Sequence, residues 1–197
     1  MRKKLLLWIL LAGVWCHALA QQEVVRVKTN LPAWGFLVSN VAVEVPLSER
    51  LAVSLPVYFS ALNYFHRNHK YRGFGIQPEV RFYTSHDKVY GVKSFIGAHF
   101  NLLYFNYAGG GLFRFQDEGR RSPVLGGGLH AGIQVPFRHR MKLLPWGLEL
   151  QVGLGWNRLR IDKFVNMDNG LRVDRFADTY FGIDNIGVSL YYNFRTK

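Results

Sequence analysis

The chain has 197 residues, 25 Lys and Arg against 13 Asp and Glu, a net charge of +12 and a single cysteine. One cysteine excludes an internal disulfide framework and a cysteine-rich metal site. The basic balance, with no nucleic-acid-binding module in the sequence, favours an anionic surface such as lipid phosphate over nucleic acid.

Arg2, Lys3 and Lys4 precede a ten-residue apolar run over 5–14, and Ala18-Leu19-Ala20 supplies a small-x-small cleavage site before Gln21. This pattern predicts a signal peptide over 1–20 and a mature domain over 21–197. The apolar run falls short of the roughly 20 residues that a spanning helix needs. Trp15 before the sole cysteine, Cys16, is too bulky for a lipoprotein signal, so the mature chain is expected to carry no cysteine. Removing the three basic residues of the leader leaves 22 basic against 13 acidic, a net +9.

From residue 25 onward the chain alternates with a period of two in eight segments: 25–31, 41–47, 51–59, 74–83, 96–106, 125–137, 147–157 and 185–194. In the first, Val25, Val27 and Leu31 share one face, while Arg26, Lys28 and Asn30 share the other. In the last, Ile186, Val188, Leu190, Tyr192 and Phe194 oppose Asn185, Gly187, Ser189, Tyr191 and Asn193. Each segment is near the 9–11 residues of a tilted membrane strand. An even count places both termini on one side. The predicted fold is all-β, an eight-stranded antiparallel transmembrane β-barrel in the outer membrane of a Gram-negative bacterium, with both termini periplasmic. Pro56 and Pro78 fall inside segments and predict bulges or missing ladder bonds.

The linkers at 63–72, 108–123 and 159–179 are long and polar and read as outer loops, whereas Ser48-Glu49-Arg50 reads as a tight periplasmic turn. Trp34, Phe59, Phe74, Tyr104 and Trp156 would form an outer aromatic belt. Phe82, Phe137, Trp146, Tyr192 and Phe194 would form a periplasmic one. Alternation alone is also compatible with a soluble barrel that turns its apolar face inward. Against that, nine glycines lie on the polar face (75, 97, 126, 128, 132, 147, 153, 155 and 187), as a narrow lumen requires.

Six charged residues fall on the inward face: Arg26, Lys28, Glu44, Glu79, Arg81 and Glu149. Three are basic and three acidic, so they are expected to pair as a structural network that plugs the lumen. His99 with Asn101 and His130 with Gln134 also face inward, but neither histidine has a serine two residues away, and no catalytic residue is assigned. Basic residues in 63–72 (His66, Arg67, His69, Lys70, Arg72) and in 158–178 (Arg158, Arg160, Lys163, Arg172, Arg175) would meet lipopolysaccharide phosphates at the rim. Asp162, Asp168, Asn169, Asp174 and Asp178 do not follow a calcium-loop spacing, and with Arg172 and Arg175 among them they predict local ion pairs. Gly109-Gly110-Gly111 lacks the lysine of a phosphate-binding loop. No metal or cofactor is expected.

Lys28-Thr29-Asn30-Leu31, the Glu44 strand, Gln77-Pro78-Glu79-Val80-Arg81-Phe82-Tyr83, Leu148–Trp156 and the closing strand together resemble a family of small outer-membrane barrels of Gram-negative bacteria, classed as a domain of unknown function. The resemblance spans 28–194, with Ala42 and Phe82-Tyr83 as mild departures. It implies an OmpA/OmpX-like barrel, often encoded near fimbrial or surface-structure genes, with no established catalytic residues to carry over. Asn185, Gly187, Leu190, Tyr192 and Phe194 further resemble the closing-strand signal read by the barrel-assembly machinery. The function expected is non-enzymatic: a monomer supporting envelope integrity, adhesion or surface structures through its outer loops, with outer-membrane lipid, lipopolysaccharide and fimbrial or surface proteins as partners. The alternatives are a lipid-A-modifying enzyme using His99 or His130, and a small channel.

Overall fold

The computed structural model describes residues 24–63, 68–86, 90–119, 121–140 and 142–195. The leader expected over 1–20 lies outside these residues, as do His66 and Arg67 of the first polar linker.

The described residues form ten antiparallel strands and one short helix: β1 (Val24–Asn30), α1 (Leu31–Gly35), β2 (Ser39–Pro46), β3 (Leu51–Asn63), β4 (His69–Ile76), β5 (Glu79–His86), β6 (Lys93–Gly109), β7 (Phe113–Asp117), β8 (Val124–His139), β9 (Lys142–Val165) and β10 (Arg172–Arg195). Each strand pairs with its neighbours in one sheet, and β10 returns to β1 with Val24 opposite Arg195 and Asn30 opposite Ser189. The hydrogen bonding therefore runs in a ring. Val24 and Arg195 lie at one end of it, the terminal end; α1 and the β9–β10 turn lie at the far end.

Ten strands stand where eight segments are expected, because one segment is interrupted and the linker 108–123, expected as an outer loop, holds a strand of its own. The 74–83 segment breaks at Gln77-Pro78, so β4 and β5 lie one after the other between β3 and β6. Pro78 has no N–H to give to the ladder, which accounts for the break. β7 and β8 likewise both lie between β6 and β9. The chain between them turns through Gly119 at a positive φ of 59° and passes Pro123.

The polar linkers are also more ordered than expected. β9 and β10 continue as a paired hairpin up to Phe164 and Arg172, so most of 159–179 is strand rather than loop. Its charged residues pair across the ladder: Asp162 faces Arg175 and Lys163 faces Asp174. The 32–40 link holds α1, which starts with Pro32 in its first turn, where a missing N–H costs nothing.

The interior is polar and the exterior apolar. The buried set includes Arg26, Lys28, Glu44, Gln77, Glu79, Arg81, His99, His130, Gln134, Glu149 and Asn185. The exposed set includes Val41, Leu55, Val80, Ile96, Leu129, Val152, Leu154 and Ile186. The faces read from the alternation are thus the faces observed, with Val45 a buried exception. Phe59, Phe74 and Tyr104 stand side by side on β3, β4 and β6. Near the terminal end the Tyr192 ring meets Trp146 and Phe194, each with ring centroids 4.6 Å apart.

Candidate functional site

Toward the terminal end the interior of the ring holds one connected polar cluster. It begins with β1, whose alternation turns Arg26 and Lys28 inward, and β2, which places Glu44 opposite Arg26. Arg26 Nη1 donates to Glu44 Oε1, and Arg26 Nε donates to Asn193 Oδ1 at 2.9 Å. Lys28 Nζ donates to Glu44 Oε2 at 2.7 Å and reaches both oxygens of Glu149 at 3.2 Å.

Arg81, projecting from β5, is the hub. Its Nη1 donates to Glu44 Oε2 at 3.0 Å and to Glu149 Oε1 at 2.9 Å. Its Nε and Nη2 donate to Glu79 Oε2 at 2.8 and 2.5 Å, and Nη2 also reaches Gln151 Oε1 at 2.7 Å. Neutral donors complete the carboxylates. Tyr83 Oη donates to Glu44 Oε1 at 2.5 Å, Gln134 Nε2 to Glu149 Oε2 at 2.6 Å, and Asn185 Nδ2 to Glu79 Oε1 at 3.4 Å. All six charged residues singled out by alternation are therefore joined in one cluster, and three positive charges meet three negative ones. Removing ions from water is costly unless geometry and hydrogen bonds compensate, and here nearly every lone pair is used. Phe95 packs under the hub with the Arg81 guanidinium 4.5 Å from its ring centre. Ala52, opposite Arg81 across the ladder and fully buried, leaves the guanidinium its space.

A second group lies farther toward the far end. His99 Nε2 is 3.0 Å from Asp184 Oδ2, and His99 Nδ1 is 3.2 Å from His130 Nδ1. Asn101 Nδ2 and Asn157 Nδ2 donate to the same Asp184 oxygen at 2.7 and 3.0 Å. With Asp184 as acceptor, His99 carries its proton on Nε2 and accepts on Nδ1. His130 then donates from Nδ1 and keeps a lone pair on Nε2. That Nε2 is buried without a hydrogen-bond partner among the described residues. It sits against Gly97, where a Cβ would come within 2.5 Å. The Asp–His–His line therefore ends on a glycine and not on a nucleophile.

Asp184 escaped the alternation. The register slips between Ile183 and Asn185, so β10 carries one residue more than β9 there. Such a bulge lets two successive residues face the same way. Asp184 and Asn185 consequently both face the interior, and the carboxylate lies over Gly155, where a Cβ would meet Oδ2 at 1.9 Å. Its one signal in the sequence is an ionisable residue placed immediately before the alternating segment 185–194.

Of the closing-strand residues, Asn185 and Gly187 face inward, while Leu190, Tyr192 and Phe194 lie on the opposite face. At the far end, Asp162 accepts from Arg175 Nε at 2.7 Å, from Arg175 Nη2 at 3.2 Å and from the Gly119 N–H at 2.9 Å. Arg175 Nη1 also pairs with Glu118 at 2.9 Å, and Arg172 lies 3.8 Å from Asp162. The hydrogen bonds from Arg175 hold the Asp162 carboxyl below its ordinary value. Of the acidic residues in this segment, Asp162 thus pairs locally with Arg172 and Arg175, as the interleaving predicts. Arg158 and Arg160 are exposed.

Comparison with curated proteins and with solved structures returned no match. A family comparison matches residues 5–194, nearly the whole chain, and on that ground the chain belongs to DUF3575, a family of proteins of unknown function.

Proposed function

We propose that this protein is an eight-stave antiparallel barrel of the outer membrane of a Gram-negative bacterium, with β4 and β5 forming one interrupted stave and β7 and β8 another. The termini face the periplasm. The protein acts without catalysis, supporting envelope integrity, adhesion or surface structures through its far-end hairpins.

The observation that carries this reading is the inversion of the faces. Leu129 is 71% exposed, Ile186 60% and Leu154 54%, while Arg81 and Glu149 are 1% exposed. Water favours the reverse arrangement. A bilayer favours this one, since a ring of strands leaves few backbone groups unpaired in lipid. The charge-filled interior supports a plugged lumen over a channel. Exposed Arg158 and Arg160 suit contact with lipopolysaccharide phosphate just beyond the apolar belt. The closing strand suits recognition by the barrel-assembly machinery.

Fractionation tests the placement. The protein should remain in the outer-membrane fraction after carbonate washing and migrate faster on gels when unheated than when boiled. Recovery in the soluble periplasm would overturn the reading. Lipid A should have the same mass in cells carrying the wild type, His99→Ala or His130→Ala, and a mass change lost in either variant would establish the enzyme alternative.

A further inference from the structure

Beyond the polar cluster, on the far-end side of Asp184, the interior does not stay filled. A cavity of about 680 Å³ lies there. Small-molecule sites span roughly 300–1,000 Å³ and combine apolar walls with a few convergent polar groups. The walls here include Leu103, Phe105, Leu159 and Tyr180, and the floor includes Asn101, Asn157 and Asp184.

The charge of the floor is one-sided. Among the described residues neither Lys nor Arg lines the cavity, and Asp184 is its one formally charged group. The Asp184 side chain is only 6% exposed. Its Oδ2 accepts from His99, Asn101 and Asn157, whereas Oδ1 is buried with no hydrogen-bond partner among the described residues. The carboxylate is held by side-chain donors on one oxygen and by none on the other, and as the one formally charged group of the floor it favours a cationic group in the cavity above it.

The place in the fold is also distinctive. β1 covers β10 only over residues 189–195, and β2 covers β3 only over 52–59. Past those points toward the far end β10 pairs with β9 alone and β3 with β4 alone, among the described residues. The cavity lies between this part of β10 and the α1 segment, which contributes Ala33 and Phe36. It is bounded on that side by a five-residue helix instead of a strand pair.

We propose that this cavity is a binding site for a small amphiphile with an amine head and an apolar body, the head seated at Asp184, Asn101 and Asn157 and the body against Leu103, Phe105 and Leu159. A carboxylate or phosphate head is disfavoured because the one formally charged group lining the cavity is the Asp184 carboxylate. The site goes beyond the structural role assigned to the lumen and uses none of the six paired charges.

The test uses the protein refolded into lipid nanodiscs, with folding first confirmed by its mobility shift, so that failure of the membrane reading is separated from failure to bind. Octylamine and octanoate are titrated while the side-chain amide resonances of Asn101 and Asn157 are followed. Octylamine should shift both saturably, with octanoate weaker by about tenfold or more, the equivalent of one charge contact of about 1.4 kcal/mol. Leu159→Trp, which fills the cavity and leaves the floor intact, should abolish the saturable shift. Asp184→Asn should bring the two probes to similar affinity. No saturable shift with octylamine, equal affinity for octanoate in the wild type, or unchanged binding in Leu159→Trp would each overturn the proposal. Should Asp184→Asn fail to fold, the wild-type preference and the Leu159→Trp arm still decide it.

Discussion

Arg81 on β5 and Glu149 on β9 meet inside the ring, Nη1 to Oε1 at 2.9 Å, although 68 residues separate them in the chain. Both are about 1% exposed. Lys28 from β1 reaches the same carboxylate, and Glu44 from β2 reaches the same guanidinium. Four strands that are not all neighbours are thereby fixed across the interior as well as along the ladder. Backbone pairing sets the circumference of the ring; these cross-lumen bonds set its interior.

Arg81→Met should be among the most damaging single changes. It leaves Glu79 with only the 3.4 Å contact from Asn185 and leaves Glu44 and Glu149 sharing Lys28. Breaking a buried pair by removing one partner costs about 3–5 kcal/mol. Glu79→Gln keeps the shape and removes the charge nearest the hub. The double variant restores charge balance and should recover part of the loss, an interaction visible in a double-mutant cycle. Urea unfolding followed by tryptophan fluorescence measures it. Strictly additive losses would mean that the cluster does not act as a unit.

Much of this was legible from alternation. In a ring with a polar interior, every second residue of each strand has to satisfy its neighbours, so Arg26, Lys28, Glu44, Glu79, Arg81 and Glu149 identify themselves as inward. Their choice of partner did not, because register around the ring decides which staves bring their charges to one level. The strand ends were illegible for a different reason. Beyond the apolar belt nothing demands an apolar exterior, so 159–179 loses its alternation, and ion pairs such as Asp162 with Arg175 hold the hairpin instead. Asp184 was hidden by the bulge, which reverses the parity of everything before it on β10. The cavity was hidden with it, since Tyr180 faces inward only through that reversal.

Gly187 and Tyr192 separate assembly from stability. The three atoms nearest a Cβ on Gly187 all belong to the Gln151 side chain, Cγ at 2.8 Å, so a side-chain shift and no backbone movement is what relieves the contact. Gly187→Ala should therefore change the unfolding free energy of the refolded protein by no more than about 1 kcal/mol, at the low end for overpacking. If the closing strand is read by the assembly machinery, the same variant and Tyr192→Ala should both lower outer-membrane abundance in cells. Normal abundance of both variants would remove the recognition role.

Acidification should loosen the far-end hairpin before the ring. Asp162 is held below its ordinary value of 3.8 by its hydrogen bonds from Arg175. A carboxylate with a lowered folded value contributes stability above its unfolded value. That contribution is lost as pH falls through the folded value, because the unfolded state then binds its proton more readily. Amide exchange near Gly119 and Arg175, taken relative to the intrinsic rate at each pH, should accordingly accelerate below about pH 4. Asp162→Asn should be faster at neutral pH and nearly flat across that window. A variant that keeps the wild-type acid response would assign the loosening to another group.

The bulge makes the sharpest demand on β10. Ile183 pairs with Leu154 and Asn185 with Gly153, so Asp184 is the extra residue. Deleting it joins the two pairings into a regular ladder and leaves both flanking stretches facing as they do now. What is lost is one carboxylate and the acceptor for His99, Asn101 and Asn157, each bond to a charged group being worth about 1.5–3 kcal/mol. Asp184→Ala strands the same donors while keeping the bulge. The deletion should thus be no more destabilising than the alanine variant by urea unfolding. Deleting Ile186 instead, in a regular stretch, shifts the parity of the residues before it and sends the interior face of β10 outward, which should abolish folding. If the Asp184 deletion fails to fold while Asp184→Ala is tolerated, the extra residue serves the path of the strand itself and not only the placement of its carboxylate.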